Sequence, residues 1–328
     1  MPILGKRGEP AAVPLQLSFV ERIRAGRVVP IISDEALFDL VLGGHAAFTR
    51  AYADYIEYPM PDRENLVKMA KYYKLHAKLK EQELKADYLN YIKNHVYRMA
   101  EADAADADLL AEAADQIDRK TMSEFARLLG YPRLGKAQDE PLPVLANLPF
   151  KTILTTSPFT FIEDALRAAG KSPRTEICRW RKELDTIDSV IDAAYKPSAA
   201  EPLVFHLHGL DAYPDSLVLT EDDYLEFLVN VSQGQGNEAA DRIPALVRKV
   251  LSDDLIVLGF SLTNWAFRVL YAGLIKPNGK AEDRGVCCLQ LAPSIAETSY
   301  LEDYLQREAK FDIYWGELPQ YAQELRKM

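Results

Sequence analysis

The stretch LVFHLHG, residues 203–209, begins with three apolar residues and then presents His206, His208 and Gly209. A short apolar run that ends in turn residues is typical of a buried β-strand. Three further stretches share this form, because VVPII, TIL and LIVL are each followed at once by small polar residues. In an open α/β sheet, ligands bind beyond the carboxyl ends of the strands. The four strand ends therefore predict one crevice.

The composition favours a soluble cytoplasmic protein. Of the 328 residues, 48% are hydrophobic, which allows a sizeable core. The net charge of −10 disfavours direct binding to nucleic acid. The three cysteines, Cys178, Cys287 and Cys288, form neither a disulfide framework nor a C-x-x-C pair, which fits a reducing cytosol. No apolar stretch reaches the roughly 20 residues that a membrane span needs.

The order of predicted elements indicates one large domain. Residues 1–17 are expected to form a loose arm, and residues 18–328 a single α/β domain. Apolar residues at helical spacing predict a helical insertion over about 58–130, followed by a proline-rich linker over 131–149. The later strands alternate with helices, apart from a mixed segment over 170–200. This alternation is typical of a Rossmann-like, doubly wound, mostly parallel sheet with helices on both faces. Among the later helices we expect ones over 239–251 and 263–274 and one near Tyr300.

The two histidines of the first stretch allow two interpretations. If the strand continues past Leu207, His206 and His208 share one face, as the ligands of an H-x-H metal site do. If the strand ends at Leu207, only His208 reaches the crevice, and His206 makes a structural hydrogen bond. We favour the second interpretation and expect no metal.

Other motifs are weaker. Gly259-Phe-Ser261-Leu-Thr263 is close to a nucleophile elbow, but no histidine follows Ser261, so a serine hydrolase of that fold is not expected. Residues 234–239 spell G-x-G-x-x-A, yet they follow a helix, where the dinucleotide fingerprint requires a strand. Phe267-Arg268 and Arg179-Trp180-Arg181 are either phosphate or partner contacts or, as we favour, arginines beside packed aromatic rings.

Taken in order, LVFHLHG, SLVLTEDDYLEFL and DLIVLGFSLTNWAFRVL resemble the sirtuin-like domain of prokaryotic antiphage-defence proteins, which cleave or bind NAD. The resemblance covers roughly residues 26–325. It implies that His208, followed directly by glycine, is the catalytic histidine, and that Gly259 and Ser261 lie near the phosphates or ribose of the nucleotide. It also places Ser33, Asp34, Thr156 and Asn264 at the cofactor, whereas Ser157 helps to position water.

The chain departs from the family at two points. The first strand usually ends in a G-A-G-x-S loop, but here Ser33, Asp34 and Glu35 follow it, so two carboxylates stand where phosphates are expected. Ser157 replaces the asparagine of the family's T-x-N pattern, which removes an amide. Because only Cys287 and Cys288 follow His208, the four-cysteine zinc module of deacylating sirtuins cannot form.

The resemblance implies a sirtuin-like effector of a prokaryotic defence system that cleaves NAD, as an NAD glycohydrolase, or binds it. The products expected are nicotinamide and ADP-ribose or a cyclised relative. The alternative is an inactive sirtuin-like module that binds a nucleotide signal or serves as an assembly scaffold. The resemblance further implies a homo-oligomer or a defence partner protein, with the helical insertion as the contact.

Overall fold

The structure, a computed structural model, describes residues 17–134, 140–192, 194–233, 241–261, 265–275, 287–291 and 311–327. Residues 1–16 of the expected arm, the expected helix near Tyr300, and the G-x-G-x-x-A motif lie outside these ranges. The boundaries of the domain and of its insertion therefore stay predictions.

The centre of the fold is a sheet of seven parallel strands in the order β3-β4-β2-β1-β5-β6-β7. The strands are β1 Val28–Ile32, β2 Thr152–Thr155, β3 Arg174–Ile177, β4 Leu203–His206, β5 Asp254–Leu258, β6 Cys287–Leu291 and β7 Phe311–Trp315. The central strand β1 is buried at all five positions, as continuous apolar strands of parallel sheets are. Pro30 lacks an N–H, and pairing of β1 with β2 begins only after it, at Ile31.

Helices cover both faces of this sheet. They are α1 Leu17–Arg24, α2 Asp34–Val41, α3 His45–Tyr55, α4 Leu66–His76, α5 Glu81–Ala102, α6 Ala107–Gln116, α7 Met122–Leu128, α8 Pro141–Asn147, α9 Phe161–Ala168, α10 Glu221–Gln233, α11 Ala245–Val250, α12 Trp265–Leu270 and α13 Leu318–Arg326. Short 3₁₀ helices span Lys182–Thr186 and Pro214–Ser216, and a π-helix spans Tyr271–Ile275.

Alternate residues of β1, β2, β4 and β5 enter two separate hydrophobic cores. Val28 and Ile32 of β1 pack with the helices α1–α9 and α13, whereas Val29 and Ile31 pack with α10, α11 and α12. This alternation follows from the pleat of a strand. The predicted Rossmann-like α/β class is thus confirmed. Among the described helices, none is both long and apolar enough to cross a membrane.

Within the linker predicted over 131–149, residues 141–147 form α8 instead of a loop. Pro141 is the first residue of α8 and Pro143 belongs to its first turn. Prolines are compatible with these positions, since the N–H groups of a first turn have no partner within the helix. Four apolar side chains of α8 are buried, Leu142, Val144, Leu145 and Ala146. Burial of this face accounts for the helix.

Three other elements differ from the sequence prediction. Strand β3 falls in the segment predicted as mixed, because its residues Arg-Thr-Glu-Ile carry no apolar pattern. The helix expected over 239–251 begins in the described residues at Ala245, directly after Pro244. The helix expected over 263–274 is α-helical from Trp265 to Leu270 and then continues as the π-helix.

Candidate functional site

A cavity of about 610 Å³ lies at the carboxyl ends of β4, β2, β1 and β5, which are neighbours in the sheet. Each strand end supplies a lining residue: Ser33 after β1, Thr156 after β2, His208 after β4 and Ser261 after β5. The chain leaves β1 towards β2 on one side and places β5 on the other. This arrangement is the switch point at which open α/β sheets bind ligands. The structure therefore contains the crevice that the four strand ends predict.

Ser33 joins the ends of β1 and β5. It is the N-cap of α2, where its Oγ accepts a hydrogen bond from the Ala36 N–H at 3.0 Å. The same hydroxyl donates to the Gly259 carbonyl at 2.5 Å. The hydroxyl thus donates and accepts a hydrogen bond within the protein. Ser33 therefore shapes the cavity wall and does not offer a free donor to a ligand.

Position 259 requires glycine, because its φ is positive and the atoms around it leave no room for a Cβ atom. Its φ is +70°, and a Cβ atom there would lie 2.3 Å from the Cβ of Ala36. The Gly259 N–H donates to Oε1 of Gln290 at 2.9 Å, while Nε2 of Gln290 donates to the Gly316 carbonyl at 2.6 Å. Gln290 is a buried amide that fixes this turn. Sequence analysis missed it, although a glutamine inside the apolar run VCCLQLA was a usable signal.

Two carboxylates, Asp34 and Glu35, line the cavity at the start of α2. Burial raises the pKa of Asp34 to about 7; the Ser157 side chain partly opposes this shift and the charge of Glu35 adds to it. Asp34 Oδ1 has no hydrogen-bond partner among the described residues. Oε2 of Glu35 accepts the Ser261 N–H at 3.1 Å. Two acidic side chains therefore line the cavity at the end of β1, where the resemblance implies a glycine-rich loop.

Thr156 and Ser157 take different positions after β2. Thr156 lines the cavity, and its Oγ1 accepts the Asp34 N–H at 3.0 Å. Ser157 is fully buried and does not line the cavity; its Oγ accepts the Phe159 N–H at 3.4 Å. Ser157 therefore reaches the site through Asp34, whose pKa its side chain lowers, and its role in positioning water stays a prediction.

His206 belongs to a buried polar triad with Glu163 and Thr175. Its Nδ1 lies 2.7 Å from the Ser157 carbonyl and its Nε2 lies 2.8 Å from Glu163 Oε1, which also accepts the Thr175 hydroxyl. Burial disfavours the charged ring, but the Glu163 carboxylate outweighs it and raises the pKa of His206. Likewise, burial opposes the charge of Glu163, but His206 lowers the pKa of that carboxyl overall. The pair is therefore a buried ion pair that holds the Ser157 loop.

His208 and His206 contact different parts of the fold. Strand β4 ends at His206, and the His208 ring packs edge-on against Tyr224 and Phe227, with ring centroids 5.1 and 5.2 Å away. His206 instead faces Glu163 of α9. The two histidines therefore do not share a face, which excludes the H-x-H interpretation for this pair. No group of three or more metal-ligand side chains occurs among the described residues.

The environment of His208 keeps its ring neutral. The residue lines the cavity but is only 4% exposed, and burial lowers its pKa to about 3. The ring is thus available as a hydrogen-bond acceptor throughout the physiological pH range. Such an imidazole can accept a proton from a ribose hydroxyl or from water if the charge that forms is stabilised.

Gly209 turns the chain directly after His208. Its φ is +87°, and a Cβ atom would lie 2.2 Å from the Ser216 carbonyl oxygen. That same oxygen accepts the Trp180 indole N–H at 2.8 Å. The loop is closed further by the Val218 N–H, which donates to the His208 carbonyl at 3.1 Å. The glycine after the histidine is therefore a steric requirement of the loop.

The rim of the cavity is formed by α3 and by the turn that leads into α4. We call residues 61–67, all of which line the cavity, the rim segment. Arg63 of this segment and Arg50 of α3 are the arginines among the described lining residues. Arg50 pairs with Glu64 at 2.5 Å, and Arg63 pairs with Asp54. Helical residues and sheet residues thus enclose the cavity together.

The remaining candidates fall outside the cavity or outside the described residues. Asn264 lies outside the described ranges. The Arg179 guanidinium binds the Ile187 and Asp188 carbonyls, while that of Arg181 lies 4.3 Å from the Trp180 ring centre. Phe267 is buried beside Phe260. The favoured interpretation, an arginine beside a packed aromatic ring, thus holds for Arg181, whereas it stays a prediction for Arg268.

Comparison with known families agrees with this geometry. Residues 151–309 match the family described as SIR2-like domain. The matched range includes Thr156, Ser157, His208, Gly259 and Ser261. No curated protein matches the chain. Residues 151–309 are therefore similar to a SIR2-like domain, and this similarity points to a function related to NAD. The wall formed by Ser33 and Asp34 and the rim segment lie outside the matched residues.

Proposed function

We propose that the cavity binds NAD and that the protein hydrolyses its nicotinamide N-glycosidic bond, as an effector of a prokaryotic defence system. The observation that carries this proposal is the position of His208. Its neutral ring lines a cavity at the switch point of the sheet, inside the part of the chain that matches a SIR2-like domain. Fold and family support binding of NAD, and His208 supports chemistry on it.

The reaction breaks the bond between C1′ of the ribose and the nicotinamide nitrogen. The bonding electron pair moves to the nitrogen, which becomes neutral, and positive charge develops on the ribose. Water then adds to C1′ and its proton passes to His208, giving nicotinamide, ADP-ribose and, after release, one proton. Carboxylates stabilise positive charge that develops in the transition state. We assign this role to Asp34 and Glu35.

A binding module without turnover is the second candidate. Two observations favour it: the Ser157 hydroxyl is buried, and the Ser261 N–H is engaged by Glu35. A site of this kind senses a nucleotide and transmits its presence to an assembly. In either case we propose a homo-oligomer or a partner protein that contacts the helices between β1 and β2, and no zinc-dependent deacylation.

The decisive experiment measures nicotinamide released from NAD by the purified full-length protein, alone and at high protein concentration. His208→Ala is expected to reduce release by about 100-fold or more, the usual effect of removing a general base. His76→Ala, an exposed histidine on α4 outside the cavity lining, is the matched control and retains activity. Release that survives His208→Ala excludes His208 as the base. Binding of NAD without release supports the binding module.

A further inference from the structure

The charged side chains that line the cavity differ between two regions. Among the described residues, the strand ends carry only the carboxylates Asp34 and Glu35, whereas α3 and the rim segment carry Arg50 and Arg63 together with Asp62 and Glu64. A dinucleotide has an anionic diphosphate and a ribose that becomes positive during cleavage. The two regions match these two parts of the ligand.

The strand ends offer few donors to a phosphate. The N–H groups of Asp34 and Ala36 at the start of α2 donate to Thr156 Oγ1 and Ser33 Oγ. The Ser261 N–H donates to the Glu35 carboxylate, and the Ser33 hydroxyl donates to the Gly259 carbonyl. Backbone N–H groups at such positions ordinarily bind phosphates. Here they are engaged within the protein, next to two carboxylates.

The rim arginines, in contrast, are held by pairs that are easily exchanged. The side chains of Arg50 and Glu64 are 63% and 59% exposed, and those of Arg63 and Asp54 are 39% and 71% exposed. Exposed ion pairs contribute little to stability, because water screens them and both side chains lose freedom. A phosphate binds arginine through two parallel charge-assisted hydrogen bonds, which is a stronger interaction.

We propose that Arg50 and Arg63 form the diphosphate-binding site of this cavity. The inference rests on the proposed binding of NAD and adds where its phosphates lie. The diphosphate exchanges with Glu64 and Asp54 for the two guanidinium groups, and the ribose next to nicotinamide extends towards His208 and Asp34. Phosphate recognition has thus moved from the loop after β1 to the helical segment that follows it.

The test compares two ligands on three variants. Affinity for ADP-ribose, which carries the diphosphate, and for nicotinamide riboside, which carries no phosphate, is measured by calorimetry at two salt concentrations. We expect Arg50→Ala and Arg63→Ala each to weaken ADP-ribose binding by about 10-fold or more, as loss of hydrogen bonds to a charged group does. Nicotinamide riboside binding stays within about 2-fold, and the salt dependence for ADP-ribose becomes shallower.

Arg119→Ala is the matched control, because Arg119 is an exposed arginine of the same helical region that does not line the cavity. The melting temperature shows whether each variant remains folded. Unchanged ADP-ribose affinity in Arg50→Ala and Arg63→Ala overturns the inference and leaves the proposed function intact. Equal losses for both ligands also overturn it, since the arginines then maintain the cavity and do not read phosphate. A wild-type protein that binds neither ADP-ribose nor NAD overturns the proposed function together with the inference.

Discussion

Burial in one cavity shifts the pKa values of His208 and Asp34 in opposite directions. Burial lowers the pKa of His208 to about 3, and burial also raises the pKa of Asp34 to about 7. Near neutral pH the histidine is therefore uncharged, while the carboxyl group changes its charge. Pairs of groups whose pKa values are driven apart in this way are typical of catalytic sites. The pH dependence of the site should follow Asp34 and not the histidine.

Asp34→Asn should separate binding from turnover. Above pH 7 the wild-type Asp34 is ionised and repels an anion, so the affinity for ADP-ribose should fall by about 3- to 10-fold between pH 6 and pH 8. Asp34→Asn should remove this fall and bind ADP-ribose more tightly at pH 8. It should also release nicotinamide more slowly, because the transition state loses a stabilising charge.

Calorimetry at both pH values and the rate of nicotinamide release check this prediction. Glu101→Gln, an exposed carboxylate of α5 outside the cavity lining, serves as the control. A variant that keeps the wild-type pH dependence would show that another group titrates.

At the residue scale, the sequence predicts groups that stand in a recognisable local pattern. His208 could be found because a strand precedes it and Gly209 follows it, and Ser33, Thr156 and Ser261 because they follow apolar runs. Gln290 and Glu163 could not be assigned a role, since their partners lie far along the chain. The complete burial of Ser157 depends on how its loop packs, which a residue pattern does not encode.

The loop after β4 is the element on which the site depends most. Gly209→Ala should destabilise the protein by about 3 kcal/mol or more, because the added methyl group meets the Ser216 carbonyl oxygen and the conformation requires a positive φ. Gly170→Ala is a matched control, since its φ is +78° and a Cβ atom there has no neighbour within 4 Å among the described atoms.

The control should lose only about 1–2 kcal/mol, the cost of the left-handed conformation alone. Urea unfolding of both variants measures the difference. Equal losses would mean that the loop can open around the extra carbon at little cost.

Elements were predictable where their apolar period was strong. The four strands whose ends form the cavity were expected, whereas β3 was missed because this edge strand of Arg-Thr-Glu-Ile is stabilised by pairing with β4 and not by its own composition. The helix α8 was missed because four prolines in its region indicate a loop unless the exact start of a helix is known. Burial of its apolar face, a property of the whole fold, decides between the two.

At the scale of the whole molecule, a buried lysine links the helices between β1 and β2 to the backbone that follows the His208 loop. Lys85 of α5 is fully buried; its Nζ donates to Glu81 Oε1 at 2.6 Å and lies 3.5 Å from Asp223 Oδ1. Asp223 in turn accepts the Leu219 and Thr220 N–H groups, which follow the His208 loop. Movement of α5 is thereby linked to the backbone that carries the cavity wall.

Lys85→Met should destabilise the protein by about 3 kcal/mol, since it removes the buried cation beside Asp223, whereas Glu81 keeps its pair with Arg181. It should also weaken ADP-ribose binding through disorder of the cavity wall. Lys68→Met on α4 removes an exposed pair with Asp62 and should cost less than about 1 kcal/mol. Thermal unfolding and calorimetry test both variants. A Lys85 variant as stable as Lys68→Met would show that the helices are joined to the site by their apolar faces alone.

The order of strands in the sheet also sets when the site can form. Thr155 and Ile32, which meet at the cavity edge, are 123 residues apart, and Ser33 and Gly259 are 226 residues apart. Contacts between such distant residues form late and slowly. During synthesis, β1 can pair on both sides only after both of its neighbours, β2 and β5, have been made. A nascent chain therefore has no complete cavity until most of it has left the ribosome. The proposed hydrolysis of NAD is thereby confined to chains whose synthesis is nearly complete.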